Sequence, residues 1–282
     1  MNWIWEPFQY GFMQRALLAA LLISATCASL GVYVVLRRMA FLGDAIAHTT
    51  LPGLAIAYLN RWNLLVGALL AALLTALGIG WLSRRRLDED TAIGVLFSGM
   101  FALGIALLSQ ARSSRDLSHL LFGNILGVTN GDLIGIVLIG LLVAAALVLL
   151  SKELILVTLD PQHAQVIGLP GEALRIMLLI LLAMTVVTAI QAVGVVLTTA
   201  LLVTPAATAS LLTRKLGWLF AGSIALAMFS SLVGLYASYY WRLPSGAGIV
   251  LVCTTGFIFC FAAREFVDYV ARKKSRKPME SL

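Results

Sequence analysis

The sequence predicts an all-α, polytopic membrane protein of about nine transmembrane helices, or eight if the second apolar run does not cross. Its N-terminus is expected outside and its C-terminus in the cytoplasm. Three observations predict this. Of the 282 residues, 61% are hydrophobic and 12% charged, with a mean hydropathy of +0.97, whereas soluble domains carry about 25% charged residues. Apolar runs of roughly 20 residues recur from end to end, each long enough as a helix to cross a hydrocarbon core about 30 Å thick. Basic residues fall in clusters between the runs and are strongly biased to alternate connections.

Taken in order, the runs place spans near 12–36, 43–59, 64–82, 92–109, 132–150, 174–190, 194–212, 217–240 and 246–263. The first is a retained helix, because its arginine pair, Arg37-Arg38, follows the run and no small-residue cleavage site appears. The second is the weakest span, since it carries Asp44, His48 and Pro52-Gly53. The stretch 117–128, SHLLFGNILGVT, is too short to cross and reads as a re-entrant piece. Residues 1–264 make one transmembrane domain and 265–282 a basic cytoplasmic tail, whose end, RKKSRKPMESL, is expected to fray.

With the N-terminus outside, fifteen of the 20 Lys and Arg residues lie inside and five, Arg15, Arg61, Arg112, Arg115 and Arg242, outside. The net charge of +7 is therefore a topology signal with attraction to anionic lipid, and nucleic acid is excluded as a partner. Cys27, Cys253 and Cys260 all sit inside apolar runs without CxxC spacing, as small buried hydrophobes. GAGIVL (246–251) and PAATAS (205–210) supply small residues for close helix packing, with Pro205 also a hinge candidate.

One inner loop, LDPQHAQVIGL (159–169), has helix signals of its own. Asp160 suits the N-cap, Pro161 the first helical position and Gly168 the residue just past the end. A cytoplasmic helix of about two turns is expected, with Ala164, Ile167, Leu159 and Leu169 offering apolar contacts to bury. An ordinary interfacial helix would look the same.

Most acidic residues fall in loops, and Asp44 is the exception. His48 follows it by one helical turn, so both side chains share a face. A helix continuing from Arg38 would carry His48 about 15 Å deep, near the midplane, where an isolated charge costs at least about 2.5–3.5 kcal/mol. Carboxylate and imidazole at this spacing suit Mn²⁺, Fe²⁺ or Zn²⁺. They equally suit a structural Asp–His hydrogen bond stiffening a helix broken at Pro52-Gly53. His119, beside Asp116, reads as a solvated loop histidine and His163 as exposed. Gln191, Thr198, Thr199 and Thr204 are candidates for lining a path, although Thr in membrane helices more often bonds its own backbone. The sequence contains no HExxH, GxSxG or GxxxxGK[ST] motif, so a Walker-type ATPase and the familiar metalloproteases are excluded.

Four segments carry a family resemblance: LRRMAFLGDAIAHTTLPGLAIAY (36–58), DTAIGVLFSGMFALGIAL (90–107), SSRDLSHLLFGNILGV (113–128) and QAVGVVLTTALLVTPAATASLL (191–212). In this order, over nearly the whole chain, they resemble the permeases of the manganese, zinc and iron chelate group of bacterial ABC transporters. The third segment is most similar to manganese-type members. The resemblance implies a multi-pass permease of the bacterial cytoplasmic (inner) membrane, working as a homodimer with a separate cytoplasmic ATPase and an extracytoplasmic metal-binding protein. It implies no permanently bound cofactor, only a transported ion, Mn²⁺, Zn²⁺ or Fe²⁺. It further implies that Asp44 and His48 pass the metal, and that Asp160, Pro161, Ala164, Ile167 and Gly168 belong to a coupling helix seated on the ATPase. Thr49-Thr50 departs from the Ser or Ala and Val of many relatives, a change conservative in size. Two other classes compete: a proton- or sodium-coupled secondary transporter, which would show inverted repeats, and an intramembrane enzyme using Asp44, which would need a second intramembrane carboxylate.

Overall fold

The computed structural model describes residues 9–85, 87–109, 125–241 and 243–276. Among them there is no strand. The membrane dictates this, because a helix satisfies every backbone N–H and C=O within its own segment where water is absent. In chain order the helices are α1 (Gly11–Leu36), α2 (Leu42–Thr49), α3 (Leu51–Leu59), α4 (Leu64–Arg84), α5 (Glu89–Leu108), α6 (Asn130–Leu149), α7 (Ser151–Leu159), α8 (Pro161–Val166), α9 (Gly171–Val193), α10 (Val195–Leu212), α11 (Leu216–Trp241) and α12 (Ser245–Arg276). A single 3₁₀ turn, Ile125–Gly127, precedes α6. It is the described end of the expected re-entrant stretch 117–128; the rest of that stretch, with Asp116 and His119, lies outside the described residues.

Eight of these helices are long and apolar enough to cross a membrane. The pair α2–α3 supplies a ninth passage. Contacts between Arg37 and Glu89, Arg175 and Glu89, and Arg84 and Glu172 gather the C-terminal ends of α1 and α4 and the N-terminal ends of α5 and α9 at one face. At the other face Arg15, near the start of α1, donates to Asn130 at the start of α6 at 3.5 Å. Since α1 and α4 end on the same side, the chain between them must cross back, and α2–α3 does so.

The second expected span is thus a broken helix rather than a continuous one. Pro52 has no N–H to donate to the His48 carbonyl, which interrupts the ladder between α2 and α3. Nor does α1 run on into α2. Arg38 takes a positive φ of 61°, with its N–H on the Val35 carbonyl and that of Met39 on the Val34 carbonyl, closing α1 by a Schellman motif. The same motif closes α3 at Arg61 (φ 57°).

Helices α1, α10, α11 and α12 pack as one group, while α4 joins α9 and α3, and α5 lies against α2, α3 and α4. Small polar residues tie the first group together: the Ser24 and Ser231 hydroxyls pair, and Ser223 donates to the Ala28 carbonyl. Cys27 and Cys253 are buried and free, as expected of small hydrophobes, and Cys260 is half-buried. Pro205 lies inside α10, which stays one helix to Leu212. The last helix continues past residue 264 to Arg276, so the first part of the expected frayed end is helical.

Candidate functional site

The helix α2 is eight residues long and nearly all of it is buried; its two ionisable side chains are the half-buried exceptions. His48 Nε2 lies 3.6 Å from Asp44 Oδ1 on the shared face that the i, i+4 spacing predicts. That is close enough for electrostatic attraction and too long for a hydrogen bond. The two groups therefore converge without closing on each other. Their side chains keep 37% (Asp44) and 24% (His48) of their surface in the single chain.

Depth is set by the neighbours, since the connection at 37–41 invalidates counting along one helix from Arg38. The His48 ring meets Phe97 and Phe101 of α5 edge-on, with centroids 5.8 and 5.5 Å away. Those two rings stack on each other one turn apart, 5.8 Å between centroids. They stand roughly 12 and 18 Å along α5 from its first residue, Glu89, at about 1.5 Å per residue. His48 is therefore at mid-depth, as expected, by a different route. An open cleft of about 440 Å³ lies beside this wall, lined by Ala45, Phe97, Ser98, Gly94, Asp90 and Arg38.

Behind the pair, α3 is clamped. A Cβ on Gly53 would overlap the Gly67 carbonyl of α4, and one on Gly67 would overlap that of Gly53. Gly104 of α5 makes room for Leu51 and Pro52, where an added Cβ would lie 2.7 Å from the Leu51 Cβ. By contrast, Gly43 in α2 faces only the flexible end of the Leu202 side chain. Among the described residues no group of three or more His, Cys, Asp or Glu side chains is placed to hold a metal. Among the described residues, Asp44 and His48 stand as a pair without a third such group beside them.

The cytoplasmic loop forms the helix its signals predict. The Asp160 side chain accepts from the His163 N–H at 2.9 Å, and Pro161 is the first residue of α8. At the other end Gly168 has φ 79°, its N–H bonds the Gln165 carbonyl and that of Leu169 bonds the Ala164 carbonyl, a complete Schellman motif. Ala164 is buried and Leu169 half-buried, but Ile167 is 53% and Leu159 52% exposed. Within the single chain Ile167 and Leu159 therefore remain apolar surface that could still be buried, as does Val166, 84% exposed. His163 is exposed as expected. Thr198 and Thr199 donate to their own helix, to the carbonyls of Gly194 and Val196, as Thr in a membrane helix usually does.

Sequence reasoning missed two groups. Phe97 and Phe101 were lost in an apolar run, where the i, i+4 spacing of two aromatics was the available signal. Glu89, just before the span expected from residue 92, fell among the acidic residues placed in loops. It accepts from Arg175 of α9 at 3.0 Å and lies 3.5 Å from Arg37 at the end of α1. Burial pushes the Arg37 guanidinium down from its ordinary value, which Glu89 opposes and Arg175 reinforces; an arginine nevertheless stays charged.

A chain that is nearly all membrane helix and holds an ionisable pair at mid-depth has the build of a membrane transport protein. Residues 9–264 match the ABC 3 transport family, and the chain belongs to it. It is 41% identical over 262 residues to a probable iron transport system membrane protein of Haemophilus influenzae, covering 93% of this chain and 97% of that one. It is also 41% identical over 269 residues to the manganese transport system membrane protein MntC of Listeria innocua, covering 94% and 96%. Among solved structures, PsaBC from Streptococcus pneumoniae in complex with Fab superposes with a TM-score of 0.81 at 34% identity, over 92% of this chain and 94% of that one. The protein is thus a multi-pass permease of the bacterial cytoplasmic membrane, with its ATPase on a separate subunit.

Proposed function

We propose that this permease imports divalent transition-metal ions, manganese foremost with zinc or iron as alternatives, and that Asp44 and His48 carry the ion through the membrane. The observation that carries the reading is the open pair itself. A structural hydrogen bond would have closed the 3.6 Å gap. Left open at mid-depth against an aromatic wall, the carboxylate and imidazole are disposed to share a third partner. The manganese and iron transport proteins among its relatives support the choice of metal.

Two ligands per chain are too few for a metal ion, and both remain partly exposed, so a second copy of the permease completes the site. A thinly liganded site also suits release. In such sites raw affinity rises from Mn²⁺ toward Cu²⁺, so Asp and His cannot select manganese, and selection falls to the extracytoplasmic binding protein. On the cytoplasmic side α8 is the coupling helix: Asp160, Pro161 and Gly168 fix its ends, Ala164 anchors it, and Ile167 with Val166 offers an apolar face to the ATPase. Closure of the ATPase dimer then moves α8 in each chain and switches the permease between outward- and inward-facing states as a rigid-body change. This orientation puts the N-terminus outside and the C-terminus in the cytoplasm, in keeping with the basic-residue bias.

The test is reconstitution of the permease in vesicles with its ATPase and metal-loaded binding protein. Radiolabelled Mn²⁺ should accumulate only with ATP, and the permease alone should hydrolyse none. Accumulation driven by a proton or sodium gradient without ATP would return the protein to the secondary transporters.

A further inference from the structure

Glu89 does two things that no other part of α5 does to a comparable extent. The body of α5 packs on α2, α3 and α4. Its first residue instead reaches across to α9 through Arg175 at 3.0 Å and to the end of α1 through Arg37 at 3.5 Å. The three side chains are 26%, 18% and 13% exposed, so this bridge is largely withdrawn from solvent and little screened. Arg175 also keeps a buried Nη2 without a hydrogen-bond partner, so its place is held chiefly through Nε on Glu89.

Each end of the bridge leads to a functional element. Arg175 lies one turn into α9, which begins two residues after the Leu169 that seals α8. Glu89 opens α5, and two to three turns further along the same helix are Phe97 and Phe101, the wall against His48. A helix transmits displacement along its axis with little loss, because its hydrogen-bonded turns are stiff relative to side-chain packing. The dipole of α5 alone would be served by any carboxylate in the first turn, and Asp90 is already there. The choice of a longer acid that leaves its own helix for two arginines calls for another account.

We propose that Glu89 is a positioning residue that transmits movement of the α8–α9 segment to the aromatic wall of the metal site, with Arg175 and Arg37 as its partners. The inference rests on the metal-import reading. Losing the bridge should uncouple the two ends: ATP is still hydrolysed and metal still binds, but fewer ions cross per ATP.

The experiment measures two quantities on the reconstituted permease, ATPase and binding protein: equilibrium Mn²⁺ binding by the permease, and Mn²⁺ ions moved per ATP hydrolysed. Glu89→Gln should leave Mn²⁺ binding and ATP hydrolysis within about twofold and lower ions per ATP roughly tenfold. Joining Glu89→Lys with Arg175→Glu restores one anion between two cations, because Arg37 already feels Arg175, and should recover most of the ratio. Arg84→Gln, which removes the more exposed ion pair with Glu172, should leave the ratio unchanged. If Glu89→Gln does not accumulate in the membrane, Arg175→Lys reads the same ratio with the charge kept. An unchanged ratio in Glu89→Gln or Arg175→Lys, or no recovery in the swapped pair, overturns the inference while the import reading stands. Absence of binding and transport of Mn²⁺, Zn²⁺ and Fe²⁺ alike in the native protein would overturn the import reading itself.

Discussion

The two halves of the broken passage are built on opposite plans. The second half, α3, is held backbone to backbone: Gly53 and Gly67 admit no Cβ, and Gly104 is cut away to seat Pro52. The first half, α2, carries the ionisable pair and meets its neighbours through side chains, with Gly43 facing only the tip of Leu202. Backbone contacts have no rotamers to yield, whereas side chains reorganise at a cost of about 0.5–1.5 kcal/mol. The difference teaches that the fixed half locates the Asp44–His48 pair and the adjustable half carries it.

Five substitutions break or sharpen this contrast. The largest effect belongs to the ion-bearing half: Asp44→Asn and His48→Ala should each lower ATP-driven Mn²⁺ uptake by roughly 100-fold, about 2.7 kcal/mol. The folded yield should stay near native by fluorescence size exclusion. Near-native uptake by both well-folded variants would remove the pair from the ion path. In the fixed half, Gly53→Val should cost about 1–3 kcal/mol of stability from overpacking, read as a lower unfolding temperature in detergent, while any folded fraction still binds Mn²⁺. A stable Gly53→Val would mean α3 is not clamped.

Smaller effects follow at sites with more freedom. Gly168→Val forces a β-branched residue to positive φ at the end of α8, a strain of roughly 1–2 kcal/mol; ATPase captured by the permease should fall several-fold. Native capture and native transport would deny α8 its coupling role. The smallest change is expected at Gly43→Ala, where Leu202 can swing aside for less than about 1.5 kcal/mol. Stability should barely move, and a loss as large as that of Gly53→Val would erase the distinction between the halves.

What the sequence made legible depended on where water meets the chain. Nine passages followed from run length, and the caps of α8 followed from Asp160, Pro161 and Gly168, because a helix end exposed to water needs specific partners for its orphan groups. Inside the bilayer the signal fades. Lipid-facing and core-facing residues are both apolar there, so only the i, i+4 spacing of Phe97 and Phe101, which face His48, set them apart from Leu103 and Ile105, which face outward. The break at 37–41 was hidden for another reason. Arg38 and Arg61 occupy positions that glycine usually marks, and an arginine before an apolar run reads as a boundary charge. What covers Ile167 and Leu159 was open in the sequence, because an apolar residue on a short helix looks the same whether its cover comes from its own chain or from a partner.

The joint between α9 and α10 is the single residue Gly194, at φ 84°, with its N–H on the Ile190 carbonyl and the Thr198 N–H on its own carbonyl. Such a connection has no slack. Helix α9 has 23 residues and rises from the segment next to α8, a beam roughly 34 Å long at 1.5 Å per residue. Tilting such a beam by about 5° at its foot swings its far tip by roughly 3 Å. Gly194 hands that swing directly to α10, so a small tilt at the foot of α9 becomes a displacement of about 3 Å at the joint.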